Sequence, residues 1–462
     1  MTLPFVLAQA ATQVAQLPRS TDATWLERMM GVVGLGVMIL IAYAMSENRK
    51  RVDWRLVAMG MLLQAVFAVV VLKTAPGLWF FEKVSVLVDA LLAFTEQGAR
   101  FIFGNLAQSN PPGLVPVGPL KPDGSIDQTA GYWANTGAFF AFNVLPTIIF
   151  LSSLMSVLYY LGVMQPIING IARIMQKTMR TSGAETLSAS ANIFLGQTES
   201  PLVVKPFVNR MTSSELFNVM VCGFATASGG VLAAYTLMLR DVVPNVAGHL
   251  LAATILQTPA AVVLAKIMVP ETGQPETMGS MPVNIEQKDA NVIEAAASGA
   301  SEGVALALNV GGMLIAFIAL IATVNAVISW GGGLFGHSEL TLQSMLGFAL
   351  RPLAWVMGVP WQDTPYVAGL IGLKTALNEF VAFGKFGLDL KNNVVAISPR
   401  SAVIASYAIV GFANFSSIAI QVGGIGGMAP DRKSEIARLG LRGMIAGNLS
   451  AFMSACWAGM LL

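Results

Sequence analysis

The chain has 462 residues, 11% of them charged and 55% hydrophobic, with a formal net charge of +2, whereas a soluble domain carries roughly 25% charged residues. So much apolar surface excludes an ordinary water-soluble fold, and the near-zero charge leaves no basic field for nucleic acid. Two cysteines, Cys222 and Cys456, and two histidines, His249 and His337, are too few for a disulfide framework or a metal cluster.

Residues 1–20 are apolar but lack the basic start of a cleaved signal, and they read as a mobile tail, with a cleaved signal as the alternative. A helix needs ~20 mostly apolar residues to cross ~30 Å of hydrocarbon. In chain order the stretches 29–46, 56–72, 128–172, 211–239, 242–265, 303–338, 401–430 and 443–462 meet that need, and of these only 211–239 holds an Asp, Glu, Lys or Arg, Glu215 near its start. They predict about eight transmembrane helices. Residues 79–104 mix Glu82, Lys83, Asp89, Glu96 and Arg100 with Phe, Leu and Val, which suits a helix lying in the interface. Residues 168–179 and 344–357 are two further interfacial candidates. The Pro- and Gly-rich residues 110–129 read as an outside loop, and polar 270–298 as the longest cytoplasmic loop.

Lys and Arg are retained on the cytoplasmic side of a membrane. Arg49, Lys50, Arg51 and Arg55 between the first two spans therefore face inward, and the N-terminus faces outward. Alternation from there places Arg173, Lys177, Arg180, Lys205 and Arg210, then Lys266 and Lys288, then Arg432, Lys433, Arg438 and Arg442 on the same inner side. The last span then ends outside, so both termini are expected outside the cytoplasmic (inner) membrane.

Two segments are too polar for lipid and too apolar for water. The first runs from Ser188 through Asn192 and Gly196-Gln197-Thr198-Glu199-Ser200-Pro201 to Val204. The second runs from Ala368 through Lys374 and Asn378-Glu379 to Gly384. Each has apolar arms that reach about half a membrane, the pattern of a re-entrant hairpin, which lipid tolerates only where protein covers the irregular backbone. Each precedes a span with an interrupted centre, Phe224-Ala225-Thr226-Ala227-Ser228-Gly229-Gly230 in the first half and Gly411-Phe412-Ala413-Asn414-Phe415-Ser416-Ser417 in the second. The first hairpin enters from inside and the second from outside, so the halves form inverted repeats. Broken helices meeting at mid-depth are the construction of secondary transporters.

An ionisable side chain in the membrane costs about 2.5–3.5 kcal/mol or more, so Glu199 and Glu379 need a partner, a proton, a cation or a substrate. The competing reading is a structural hydrogen bond between helices. The neighbouring polar side chains exceed what one such bond requires. Asn414 and Ser417, at i and i+3, share one helical face, with interhelical bonding as the alternative. The glycine runs at Gly31 to Gly36 and Gly423 to Gly427 are packing glycines, since no strand precedes them and no P-loop lysine follows. Neither histidine sits in a hydrolase context.

Five segments together, Gly196 to Leu202, Phe224-Ala225-Thr226, Ala307-Leu308-Asn309-Val310, Leu377-Asn378-Glu379-Phe380 and Gly411 to Ser417, resemble the concentrative nucleoside transporter family in its bacterial form. The similarity runs from about Met29 to the C-terminus. It implies an all-α integral membrane protein with two re-entrant hairpins and interfacial helices. It also implies a homotrimer in which a transport domain moves like an elevator against a scaffold. Carried over residue by residue, the resemblance places the nucleoside base at Gln197, Thr198 and Glu199. It places the ribose hydroxyls at Glu379, Asn414 and Ser417, with Phe412 lining the pocket and Leu306 flanking the base. Sodium falls to Asn192, Leu195, Thr226 and Ala227, the last replacing a bulkier apolar residue common in the family. The chemistry agrees: a carboxylate can accept from two neighbouring hydroxyls, and neutral oxygens suit a hard cation.

The expected organisation is a tail at 1–28, scaffold spans and interfacial helices at 29–182, and the first hairpin with its broken helix and following span at 183–268. A cytoplasmic loop at 269–300, scaffold helices at 301–360, the second hairpin with its broken helix at 361–430 and a final span at 431–462 follow. The resulting expectation is sodium-coupled nucleoside import without catalysis. A proton-coupled symporter of the same fold, an intramembrane enzyme using Glu199 and Glu379 as acid and base, and a passive channel are the rivals.

Overall fold

A computed structural model describes residues 23–107, 113–117, 132–136, 140–279 and 289–462. Most of the expected N-terminal tail, much of the expected outside loop and Lys288 lie outside the described residues. Helix α1 (Trp25–Ala44) starts at a capping box in which Thr24 accepts from the Glu27 amide and Glu27 accepts from the Thr24 amide. Helix α2 (Trp54–Lys73) starts at Asp53, which accepts from the amides of Arg55 and Leu56. Only Thr74 separates α2 from α3 (Ala75–Phe103), so the charged, expected interfacial segment is the greater part of one 29-residue helix. Strands β1 (Gly113–Val117) and β2 (Tyr132–Thr136) then pair antiparallel with Gly113 opposite Thr136. Strand β1 stands where an irregular loop was expected, and β2 falls inside the stretch 128–172 that was expected to supply a span.

Helix α4 (Phe140–Tyr160) follows, then α5 (Met164–Met179). Met164, Ile168, Met175 and Met179 bury one face of α5 while Ile167 and Ile174 stay exposed, so the helix is one-sided, as an interfacial helix must be. The first hairpin descends through α6 (Gly183–Ala191), turns over 192–199, and returns through a 3-10 turn (Ser200–Val204) and α7 (Lys205–Val208). Pro201 and Pro206 stand in the first turns of the two returning pieces, where a missing N–H costs nothing. The broken span after it comprises α8 (Ser213–Ala225) and α9 (Gly229–Leu239), and α10 (Val246–Met268) packs behind it.

In the second half come α11 (Val292–Gly333) and α12 (Leu342–Val356), then the second hairpin, α13 (Thr364–Ala376) and α14 (Glu379–Lys391). The broken span α15 (Pro399–Ile409) and α16 (Phe415–Met428) precedes α17 (Lys433–Leu461). Among the described residues seven helical stretches are long and apolar enough to cross a membrane, counting α8 with α9 as one. The expected eighth, over 401–430, falls short because its break leaves pieces of 11 and 14 residues. Helix α11 begins inside the expected cytoplasmic loop, since Asn291 caps it by accepting from the Glu294 amide at 2.9 Å and an alanine run continues it.

The two hairpins open at opposite ends of the molecule. At the base of the first, Ser182 donates to Glu215 at 2.5 Å, and Lys266 holds Glu185 at 2.8 Å, both acids being buried. Arg442 bonds Glu47 and the Met45 carbonyl at this same end, and Arg432 bonds the Met211 carbonyl at 2.7 Å. The basic clusters therefore gather on one side, as charge retention requires. At the base of the second hairpin, Asp363 accepts from Ser401 at 2.6 Å and from the Ser398 amide at 3.1 Å. Arg400 there binds the carbonyls of Gly358 and Gly459. In each repeat a hydroxyl-to-carboxylate bond ties the start of the hairpin to the start of the broken span. The inverted plan expected from the sequence is thus visible in matching contacts at opposite ends.

Candidate functional site

The two broken spans cross at their breaks. Gly411 takes φ +97°, and a Cβ there would lie 2.0 Å from the Ala225 carbonyl, so only glycine fits both the backbone and the space. Beside it α16 begins at Asn414, whose Oδ1 accepts from the Ser417 amide at 2.9 Å. That cap leaves the amide nitrogen free to point elsewhere: Nδ2 donates to Glu379 Oε2 at 2.7 Å. Glu379 is the first residue of α14, which Asn378 caps by accepting from the Val381 amide at 2.9 Å. Two helix N-termini, each with partial positive charge, therefore converge on one buried carboxylate.

The second repeat joins the first through Gln197, whose Nε2 donates to Ser417 Oγ at 3.2 Å. Gln421 of α16 donates to Gln197 Oε1 at 3.2 Å and to the Met220 carbonyl at 3.1 Å. Glu379, Asn414, Ser417 and Gln197 are consequently one connected polar cluster, all nearly inaccessible. Phe412 lies half-buried at the same break. Tyr235 of α9 stacks on Phe383, with ring centroids 4.2 Å apart, and meets Phe380 edge-on. Tyr235, and Asn414 with it, faces Glu379.

Glu199 stands apart from that cluster. Its side chain keeps accessible surface in the single chain. Its carboxylate accepts from the Gly196 amide at 3.0 Å and faces Glu302 of α11. The carboxylate caps its own loop, so that Gln197 and not Glu199 bonds to Ser417. Thr198, between them, is half-buried. Leu306 is one helical turn from Glu302 and shares its face of α11, half-buried against the core.

The residues assigned to sodium also gather. Asn192 Nδ2 donates to Thr226 Oγ1 at 2.7 Å and to the Cys222 carbonyl. Thr226 Oγ1 donates to the Asn192 carbonyl at 3.0 Å, and Ser200 donates to Asn192 Oδ1 at 2.9 Å. Leu195 sits half-buried in the same turn, and Ala227 is buried in the break of the first repeat. The Phe194 carbonyl accepts from the Gly229 amide at 3.0 Å, which pins the hairpin turn to that break. The oxygens are neutral and close together, a set suited to a hard monovalent cation. Gln421, Tyr235 and Glu302 escaped the sequence reading, as did the part of Ser200 as a partner of Asn192; the one signal for Gln421 was its place four residues after Ser417, on the same helical face.

Three family models cover this chain: Na+ dependent nucleoside transporter C-terminus over residues 249–459, its N-terminus counterpart over 33–106, and Gate, described as nucleoside recognition, over 141–241. A solved structure of CNTnw in an inward-facing substrate-bound state is 42% identical, covers 94% of this chain and 97% of its own, and superposes with a TM-score of 0.83. The chain belongs to the concentrative nucleoside transporter family. Other relatives in this family include an uncharacterized transporter of Haemophilus influenzae, 43% identical over 94% of this chain and 98% of its own length. Sodium/nucleoside cotransporter 1 of Mus musculus is 37% identical over 94% of this chain and 64% of its own length. The resemblance carried by the five sequence segments is therefore correct. The helical architecture, with its hairpins, is that of a multi-pass concentrative nucleoside transporter.

Proposed function

We propose that this chain imports nucleosides across the cytoplasmic membrane by symport with sodium, its hairpins and broken spans moving as an elevator against a trimeric scaffold, with both termini outside. The observation that carries the reading is the Asn414 bond to Glu379, placed where two helix N-termini and the Ser417–Gln197 link converge. A carboxylate with one oxygen held by Asn414 can accept from a ribose hydroxyl, while Asn414 and Ser417 offer the complementary polar atoms. Gln197 and Thr198 suit the base edge, with Glu199, Phe412 and Leu306 around it. Asn192, Thr226 and the carbonyls of Leu195 and Ala227 suit sodium. Sodium bound there would order the turn that presents Gln197, and so raise nucleoside affinity by thermodynamic linkage.

The test is uptake of labelled uridine and adenosine into proteoliposomes with an inward sodium gradient. Accumulation above the outside level separates a symporter from a passive channel, and recovery of unchanged nucleoside separates it from an enzyme. Glu379→Gln, assembling normally, should lose about 10- to 100-fold in uptake, since hydrogen bonds to charged groups contribute ~1.5–3 kcal/mol. Unaltered uptake by this variant would remove Glu379 from the site. Proton coupling is the second reading, favoured by the like charge of Glu302 acting on Glu199, a repulsion that a bound proton would relieve. Uptake in choline buffer driven by a pH gradient decides for it.

A further inference from the structure

Lys374 of α13 is a buried cation that no step above uses. It is fully inaccessible, and the charge acting on it is that of Glu379. Lys374 Nζ does not bond the carboxylate but donates to Asn448 Oδ1 of α17 at 2.6 Å. Asn448 Nδ2 donates onward to the Ala413 carbonyl at 2.9 Å, and the next residue, Asn414, binds Glu379. The circuit closes: cation, Asn448, the break of the second repeat, Asn414 and carboxylate. The other side chains facing Glu379, those of Tyr235 and Asn414, are neutral, so Lys374 is its sole countercharge among the described residues. Asn448 is itself nearly inaccessible, and no water replaces either partner cheaply at such depth.

We propose that Lys374 is a positioning residue for ribose recognition: it supplies the countercharge to buried Glu379 and, through Asn448, fixes the break that presents Asn414. A purely structural lysine would anchor α13 to α17 without regard to what the carboxylate binds. A positioning lysine acts only through Glu379 and Asn414, so its loss must be felt at the sugar hydroxyls. The inference rests on the reading that Glu379 holds those hydroxyls.

The experiment compares uridine with 2′,3′-dideoxyuridine in sodium-gradient proteoliposomes, taking the KM of dideoxyuridine divided by that of uridine as the measure of sugar recognition. Lys374→Met should lower that ratio about tenfold, to the level of Glu379→Gln, and the double variant should fall no further. Equal losses for both nucleosides with the ratio intact, or additive losses in the double variant, would overturn the proposal. If Lys374→Met fails to assemble, the variant lacking both charges should assemble, because no charge is left uncompensated; its failure too would show that Lys374 acts through its packing and its Asn448 bond alone, and would also overturn it. Wild-type protein that accumulates neither nucleoside refutes the transport reading instead.

Discussion

Asn414 shows how much one side chain settles at this site. Its carbonyl oxygen closes the start of α16 and its nitrogen holds Glu379, so the same rotamer serves fold and recognition. An Asp in its place could cap the helix but would set two carboxylates against each other. Thr226 is a similar case, at once donor to the Asn192 carbonyl and acceptor from Asn192 Nδ2. Thr226→Val keeps the shape and removes the oxygen. The expected result is a sodium half-saturation raised about tenfold, the loss of roughly one net hydrogen bond, with uridine KM at saturating sodium changed less than about twofold. Titrating uptake against sodium at fixed uridine checks it, and an unchanged sodium curve would exclude Thr226 as a ligand.

At the scale of elements, the breaks matter more than the helices they interrupt. Gly411 places a left-handed residue against the Ala225 carbonyl, and this contact lets two discontinuous spans cross at half depth. Gly411→Ala must either displace α8 or abandon the positive φ, at a cost of ~1–3 kcal/mol for the backbone alone. The expected outcome is a lower melting temperature in detergent together with lost uptake, measured on the purified protein; wild-type values for both would mean the crossing is not tightly packed. The hairpins were legible from Asn192 to Pro201 and from Lys374 to Glu379, because polar residues amid short apolar arms have few other uses in lipid. The direction each side chain takes at the turn was not legible. Glu199 and Gln197 are two residues apart with similar polar character, and only the folded turn bonds one to its own Gly196 amide and the other to Ser417.

At the scale of the molecule, α11 is 42 residues long, about 63 Å at 1.5 Å per residue, and only 18% of its most apolar window is buried in one chain. Ile315 at 77% and Trp330 at 72% exposure leave an apolar helix facing either lipid or further copies, and the proposed trimer would cover it. Ile315→Lys should then convert the detergent-solubilised trimer to monomers by light scattering, whereas a retained trimeric mass would place the interface elsewhere.

Seven of the eight expected spans, the shared side of the basic clusters, both hairpins and the polar residues at their turns follow from local properties: length of apolar run, side of basic charge, and polarity out of place in hydrocarbon. Those are properties of neighbours along the chain. That Gln197 and not Glu199 joins the Glu379 cluster, that Gln421 and Tyr235 complete it, and that Lys374 answers a carboxylate through Asn448 were decided only when distant segments packed. Partners separated by dozens to hundreds of residues leave no periodicity in the chain, because their pairing depends on where the two breaks cross, and that crossing exists only in three dimensions.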